Sequence, residues 1–170
     1  MSADQNIIDN QTTSHTASDR ANTFPWPPVL FIAAIAAAVL LAHIAPVSWP
    51  GVDDAPARLV GWGFGLLGIG LIAWSIERLL SHGTTVMPDK TSSVLVTTGP
   101  YWRFRNPIYL GEVLLLLSAA EVTKNVWFVA AATGFALLVT VLQIIPEERH
   151  LQARFGDAYT TYKARTRRWI

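Results

Sequence analysis

Long uncharged apolar runs alternate with short polar breaks along the chain. Val29 to Trp49 holds 21 residues without Asp, Glu, Lys or Arg, Leu59 to Ile76 holds 18, and Val126 to Ile145 holds 20, weakened only by Gln143 and two threonines. A bilayer core needs ~20 apolar residues in a helix, so each run reads as a membrane span. Ile108 to Thr123 is different, because it contains Glu112 and Glu121 and its longest uncharged run, Val113 to Ala120, covers eight residues. It reads as a short third helix forming a hairpin with the fourth through Lys124 and Asn125. Beyond Glu147, Leu151, Phe155, Tyr159 and Tyr162 recur at steps of four, four and three, which makes one apolar face of an amphipathic interfacial helix, with Trp169 anchoring its end. The expected fold is an all-α polytopic membrane bundle of four transmembrane helices plus that C-terminal helix.

Composition agrees with a membrane protein. The 170 residues are 51% apolar and 15% charged, against about 25% charged in a soluble domain, and three such runs leave no polar layer to cover them. A net charge of +1 is too small for nucleic-acid binding by counterion release. Without cysteine there is no disulfide, thiolate nucleophile or Cys-ligated metal, and His15, His43, His82 and His150 are too scattered for a metal site. Residues 1–25 lack periodicity and read as a disordered tail, followed by an N-terminal membrane hairpin over 26–80 and a core over 81–170. Eleven Lys and Arg fall on one side of four alternating spans, and two, Arg58 and Lys124, on the other. Both termini and the central loop are therefore expected in the cytoplasm, with the protein in a bacterial inner membrane.

Gly63, Gly65 and Gly68 spell G-x-G-x-x-G, a dinucleotide fingerprint only when it follows a strand in a soluble fold. Within an apolar run, Gly61, Gly65 and Gly68 instead form a face for close helix packing. The stretch VLVTTGPYWRFRNPIYLG, Val94 to Gly111, is richer. Gly99 and Pro100 force a turn, Pro107 suits a helix start, and Asn106 is its cap. Arg103 and Arg105 beside that helix N-terminus make either an anion site or an interfacial anchor. Glu147 and Glu148 are adjacent at the end of the fourth span, where like charges call for a cationic ligand or an arginine partner, unless water solvates both.

The TTGPYWRFRNPIYLGE block, a hydrophobic hairpin, and then PEERHLQARFGDAYTTYKARTRRW resemble the isoprenylcysteine carboxyl methyltransferase and phospholipid methyltransferase superfamily of small membrane enzymes. The likeness covers about Gly83 to Ile170, and includes GTTVMP at Gly83 to Pro88. It rests on G-x-Y-x-x-x-R-(H or N)-P-x-Y followed by Glu-Glu and F-G-x-x-Y-x-x-Y. It implies S-adenosylmethionine as cofactor, with Leu95, Val96 and Tyr101 lining its site, Asn106, Pro107 and Tyr109 holding it from the helix start, and Glu147 binding its polar end. Arg105 and Gln143 are the candidate catalytic residues, Arg105 for a carboxylate or anionic headgroup and Gln143 for the acceptor. Much of that family has His where Asn106 stands, and many animal members have an arginine in the turn that Gln143 occupies, so proton abstraction at the first and carboxylate binding at the second lose their usual residues. The implied partner is a lipophilic or lipid acceptor, prenylcysteine or phospholipid headgroup. A membrane NADPH-dependent sterol or lipid reductase and a non-catalytic anchor subunit are the competing readings.

Overall fold

The computed structural model describes residues 26–83 and 94–170. The expected disordered tail at 1–25 and the GTTVMP segment beyond Gly83 lie outside the described residues. The elements are α1 (Trp26–Ile44), α2 (Ala55–Ser81), a 3-10 turn (Gly99–Trp102), α3 (Pro107–Thr123), α4 (Trp127–Val139), a π-helical turn (Thr140–Ile144) and α5 (Ile145–Arg165). Because the π turn joins α4 to α5 without a break, the described chain has four helical runs, and the fold is all-α.

Three of these runs are long and apolar enough to cross a membrane: Pro27–Ile44, Ala55–Ser81 and Trp127–Arg165. This corrects the expectation of four transmembrane helices plus a separate interfacial helix. The third helix, α3, has 17 residues and carries Glu112 and Glu121. It lies along the small-residue face of α2, against Gly61, Gly65 and Gly68. Nor is the amphipathic helix a separate element lying on the bilayer. It continues α4, and Gly156 breaks it at φ 51°, ψ −122°. The chain then folds back, bringing Lys163 Nζ to 4.0 Å from Glu148 and burying Tyr159 and Tyr162 at 1% and 4% exposure. The four-four-three spacing is real, but its second half faces protein.

Local chemistry sets the helix ends. Asp54 caps α2 by accepting from the Ala57 N–H at 2.9 Å, and Lys124, in the left-handed region at φ 54°, stops α3. Asn125 restarts the chain as α4: its side-chain oxygen accepts from Trp127 N–H at 3.0 Å, and its amide donates to Ala38 O at 3.2 Å. Trp127 Nε1 donates to Ala45 O at 2.8 Å, and Phe31 meets Phe135 edge-on at 5.8 Å. α1 therefore runs antiparallel to α4, its start at the end of α4. The two N-terminal helices are not each other's main partners, since α1 packs on α4 and α2 on α3.

The α2–α3 crossing uses the small-residue face expected from Gly61, Gly65 and Gly68, all buried. A Cβ on Gly68 would stand 2.8 Å from Gly111 O, and one on Gly111 2.5 Å from Ile72, so the two backbones touch where neither helix carries a side chain. The core between α1, α3 and α4 is Leu116, Ala120, Phe128, Ala132, Phe135 and Val139, with Ala38 from α1. At Gly156 nothing lies within 4 Å of a built Cβ, so Gly156→Ala acts only through its backbone angles. We expect it to cost about 1–3 kcal/mol, read as a lowered Tm in detergent. An unchanged Tm would mean that the fold-back does not need this conformation.

Candidate functional site

Three segments far apart in sequence meet at the end of α4: the loop from Val94 to Asn106, the first turns of α5, and the fold-back after Gly156. Pro100 and the 3-10 turn bury Tyr101 at 9% exposure while leaving Trp102 at 69%. The Tyr162 hydroxyl donates to Tyr101 O at 2.8 Å, which ties the fold-back to the turn. Backbone bonds from Arg105 N to Arg167 O at 2.7 Å and from Arg167 N to Arg103 O at 3.1 Å add a short bridge.

The adjacent carboxylates part company here. Glu148 is buried and clamped: Arg105 Nε reaches its Oε1 at 3.1 Å, and Arg168 donates to both oxygens at 3.1 and 2.7 Å. Those hydrogen bonds hold the Arg168 guanidinium above its usual pKa. Arg105 also donates to Lys163 O at 3.1 Å and to Thr166 O at 2.6 Å. Glu147 has no ion pair among the described residues. It lines a cleft of about 70 Å³ together with Leu95, Val96, Tyr101, Arg105 and Leu151, and the Gln143 side chain stands beside it. Burial, with the Glu147 charge second, raises the pKa of the Tyr101 hydroxyl, so Tyr101 stays protonated.

Of the seven residues expected to hold a cofactor, Leu95, Val96, Tyr101 and Glu147 share the cleft. Pro107 is fully buried in the first turn of α3, and Tyr109 packs against the core within electrostatic reach of Glu147. Asn106 occupies the N-cap position but makes no capping bond with its side chain. Its amide donates instead to Arg168 O at 3.2 Å, which corrects the capping role expected of it. Of the candidate catalytic pair, Gln143 is fully buried in the π turn behind Glu147, and Arg105 lines the cleft with its guanidinium spent on Glu148 and two carbonyls. Sequence reasoning missed Leu151 and Tyr162 as cleft walls and Arg168 as a clamp. The one signal for the clamp was the Glu-Glu pair itself, which called for a cationic ligand or an arginine nearby.

Residues 57–158 match the model of the phospholipid methyltransferase family. The chain belongs to that family. Its members are S-adenosylmethionine-dependent methyltransferases, so the superfamily resemblance read from the two blocks holds. Among curated relatives, a 63-residue stretch is 35% identical to an uncharacterized protein of Haemophilus influenzae, covering 37% of this chain and all of that one. The cobalt-zinc-cadmium resistance protein CzcN of Cupriavidus metallidurans is 29% identical over 133 residues, 78% of this chain and 56% of CzcN. Among solved structures, the eukaryotic intramembrane Ras methyltransferase ICMT (isoprenylcysteine carboxyl methyltransferase) superposes with a TM-score of 0.60 at 22% identity, over 88% of this chain and 53% of that one. This likeness shows a shared fold. The chain spans about half the length of CzcN and of ICMT.

Proposed function

We propose that this chain is an integral-membrane methyltransferase that binds S-adenosylmethionine in the Tyr101–Glu147 cleft and methylates a lipophilic acceptor. The observation that carries the reading is the division of labour between neighbouring carboxylates. Glu148 is neutralised by two arginines, whereas Glu147 faces the cleft without a cation. An unpaired carboxylate in a poorly solvated wall favours a ligand bringing positive charge or N–H and O–H donors, and the donor has an ammonium, a ribose and a sulfonium. The residues present therefore fit it chemically. Leu95, Val96 and Leu151 supply apolar walls, the Tyr101 ring offers a face that attracts a cation, and Gln143 steadies Glu147. The cleft is smaller than the ~300 Å³ or more of usual small-molecule sites, so the loop and α5 part when it fills.

When bound, the donor supplies an electrophilic methyl group. The protein's work is positioning and exclusion of water, which needs no strong base, consistent with Asn106 at the helix start. The test is equilibrium binding of labelled S-adenosylmethionine to the detergent-purified protein, with labelled NADPH beside it. Retention of the first and not the second is expected, and the reverse would establish a reductase. Neither ligand binding would leave the anchor reading and remove ours.

The cleft faces the cytoplasm in this reading. Arg78, Arg103, Arg105, Arg149 and the C-terminal basic residues gather at its end of the molecule, while Arg58 and Lys124 stand at the other. This asymmetry orients the chain without reference to how many spans it has. A phosphatase reporter fused after Ile170 should be inactive and a fluorescent cytoplasmic reporter active. Periplasmic phosphatase activity would reverse the orientation.

A further inference from the structure

A second cavity, of about 500 Å³, opens on another face of α5 from the cleft. Ile145, Glu148, Arg149 and Gln152, at i, i+3, i+4 and i+7, share that face, whereas Glu147 and Leu151, which line the cleft, lie on a different one. The two spaces have no wall residue in common. The fold-back at Gly156 supplies the opposite wall with Lys163 and Arg168. Gln152 ties the two arms together, donating to Gly156 O at 3.1 Å and to Thr160 Oγ1 at 2.9 Å. Ile145 is the last residue of the third apolar run, so the cavity begins where the hydrocarbon ends and its charges stand at headgroup depth.

The charges around this cavity do not balance. Three cations, Arg149, Lys163 and Arg168, line it with one carboxylate, Glu148, which is already bonded to Arg105 and Arg168. Lys163 Nζ comes no nearer to that carboxylate than 4.0 Å. Arg149 is exposed and makes no hydrogen bond or ion pair among the described residues. Like charges gathered round one space repel, and an anion entering it meets guanidinium and ammonium donors from both arms. We propose that this cavity binds a phosphate-bearing anion, either a lipid headgroup or the free ion. Its volume falls in the ~300–1,000 Å³ range of small-molecule sites, and basic pockets at the cytoplasmic end of membrane helices suit anionic headgroups. α5 stands between the cavity and the donor cleft, so a lipid held here is not the methyl acceptor. The site goes beyond the methyltransferase reading and does not depend on it. Occupied, it links Arg149 to Lys163 and Arg168 and so braces the fold-back.

Two probes, used on the full chain in neutral maltoside micelles, test the site and tell its ligands apart. One is phosphatidylglycerol with a fluorescent acyl chain, compared with equally labelled phosphatidylcholine, whose headgroup carries no net charge. The other is inorganic phosphate, followed by isothermal titration. A headgroup site should show the wild type binding phosphatidylglycerol about tenfold or more tightly than phosphatidylcholine, whereas a free-ion site should show phosphate binding without that preference. In either case Arg149→Gln and Lys163→Gln should each weaken the anion by roughly fivefold, the worth of one basic residue toward an anionic headgroup. Arg154→Gln, which removes an exposed arginine outside the cavity, should leave it unchanged. Arg149 and Lys163 are both exposed, and the Tm of each variant reports that it has folded. If neither anion binds, or if binding survives both substitutions, the proposal is overturned. A loss as large in Arg154→Gln as in the other two also overturns it, since diffuse surface charge then accounts for the attraction. Binding of S-adenosylmethionine, measured separately, tests the donor cleft and leaves this result as it stands.

Discussion

Glu147→Gln should weaken S-adenosylmethionine binding by roughly tenfold to a hundredfold while leaving the Tm of the unliganded protein within a degree or two. The substitution removes a charged acceptor from the cleft, and hydrogen bonds to a charged group contribute about 1.5–3 kcal/mol. Nothing in the folded chain depends on that charge through an ion pair. Glu148→Gln should do the opposite. The Glu148 and Arg105 side chains are 9% and 11% exposed, and removing one partner of a buried pair leaves the other uncompensated, at a cost of about 3 kcal/mol or more. Its signature is a lowered Tm, with donor affinity falling only as far as the loop loosens. Isothermal titration and thermal unfolding on both variants separate the effects; equal losses of affinity at unchanged Tm would show that the two carboxylates act together on the ligand.

Gly111→Val should be the most destabilising single change in the helix pairs. A Cβ there would lie 2.5 Å from Ile72 and 2.8 Å from Gly68 O, and the second contact is with backbone that cannot turn aside. Overpacking of this kind costs about 1–3 kcal/mol, with separation of α2 from α3 at the upper end. Gly70→Val is the control, because nothing lies within 4 Å of its built Cβ. Detergent-solubilised Gly111→Val should melt several degrees lower than Gly70→Val, and similar Tm values would mean that α2 and α3 do not hold each other as described.

Apolar run length made the three spans legible, and a glycine face at helical spacing revealed where α2 receives α3. The walls Leu95, Val96 and Tyr101 and the carboxylate Glu147 followed from two blocks whose order and spacing carried the resemblance. Other features were hidden for physical reasons. Tyr159 and Tyr162 continue the periodicity of Leu151 and Phe155, so the pattern shows one helix face. Only the backbone angles at Gly156 turn its second half inward. The partners of Glu148 come from positions 105 and 168, one before the hairpin and one after it, and no local pattern pairs residues so far apart. Asn106 has the sequence of a cap, yet a carbonyl at Arg168 claims its amide. α3 is, at 17 residues, too short for an independent span and carries Glu112 and Glu121 besides, although packing along α2 makes it as much a part of the bundle.

The clamp on Glu148 also has a temporal meaning. During synthesis Tyr101 and Arg105 emerge first and Glu147 some forty residues later, but Thr166 and Arg168, which fasten the loop to α5, emerge only after the fold-back has been made. Until then Arg105 lacks most of its hydrogen-bond acceptors and Asn106 its carbonyl. The cleft is thus finished only after residues 151–168 have been made. A chain stalled or cut after Glu148 can place its apolar helices in the bilayer yet has no completed wall to hold a ligand, so partial products occupy membrane without gaining the capacity to bind.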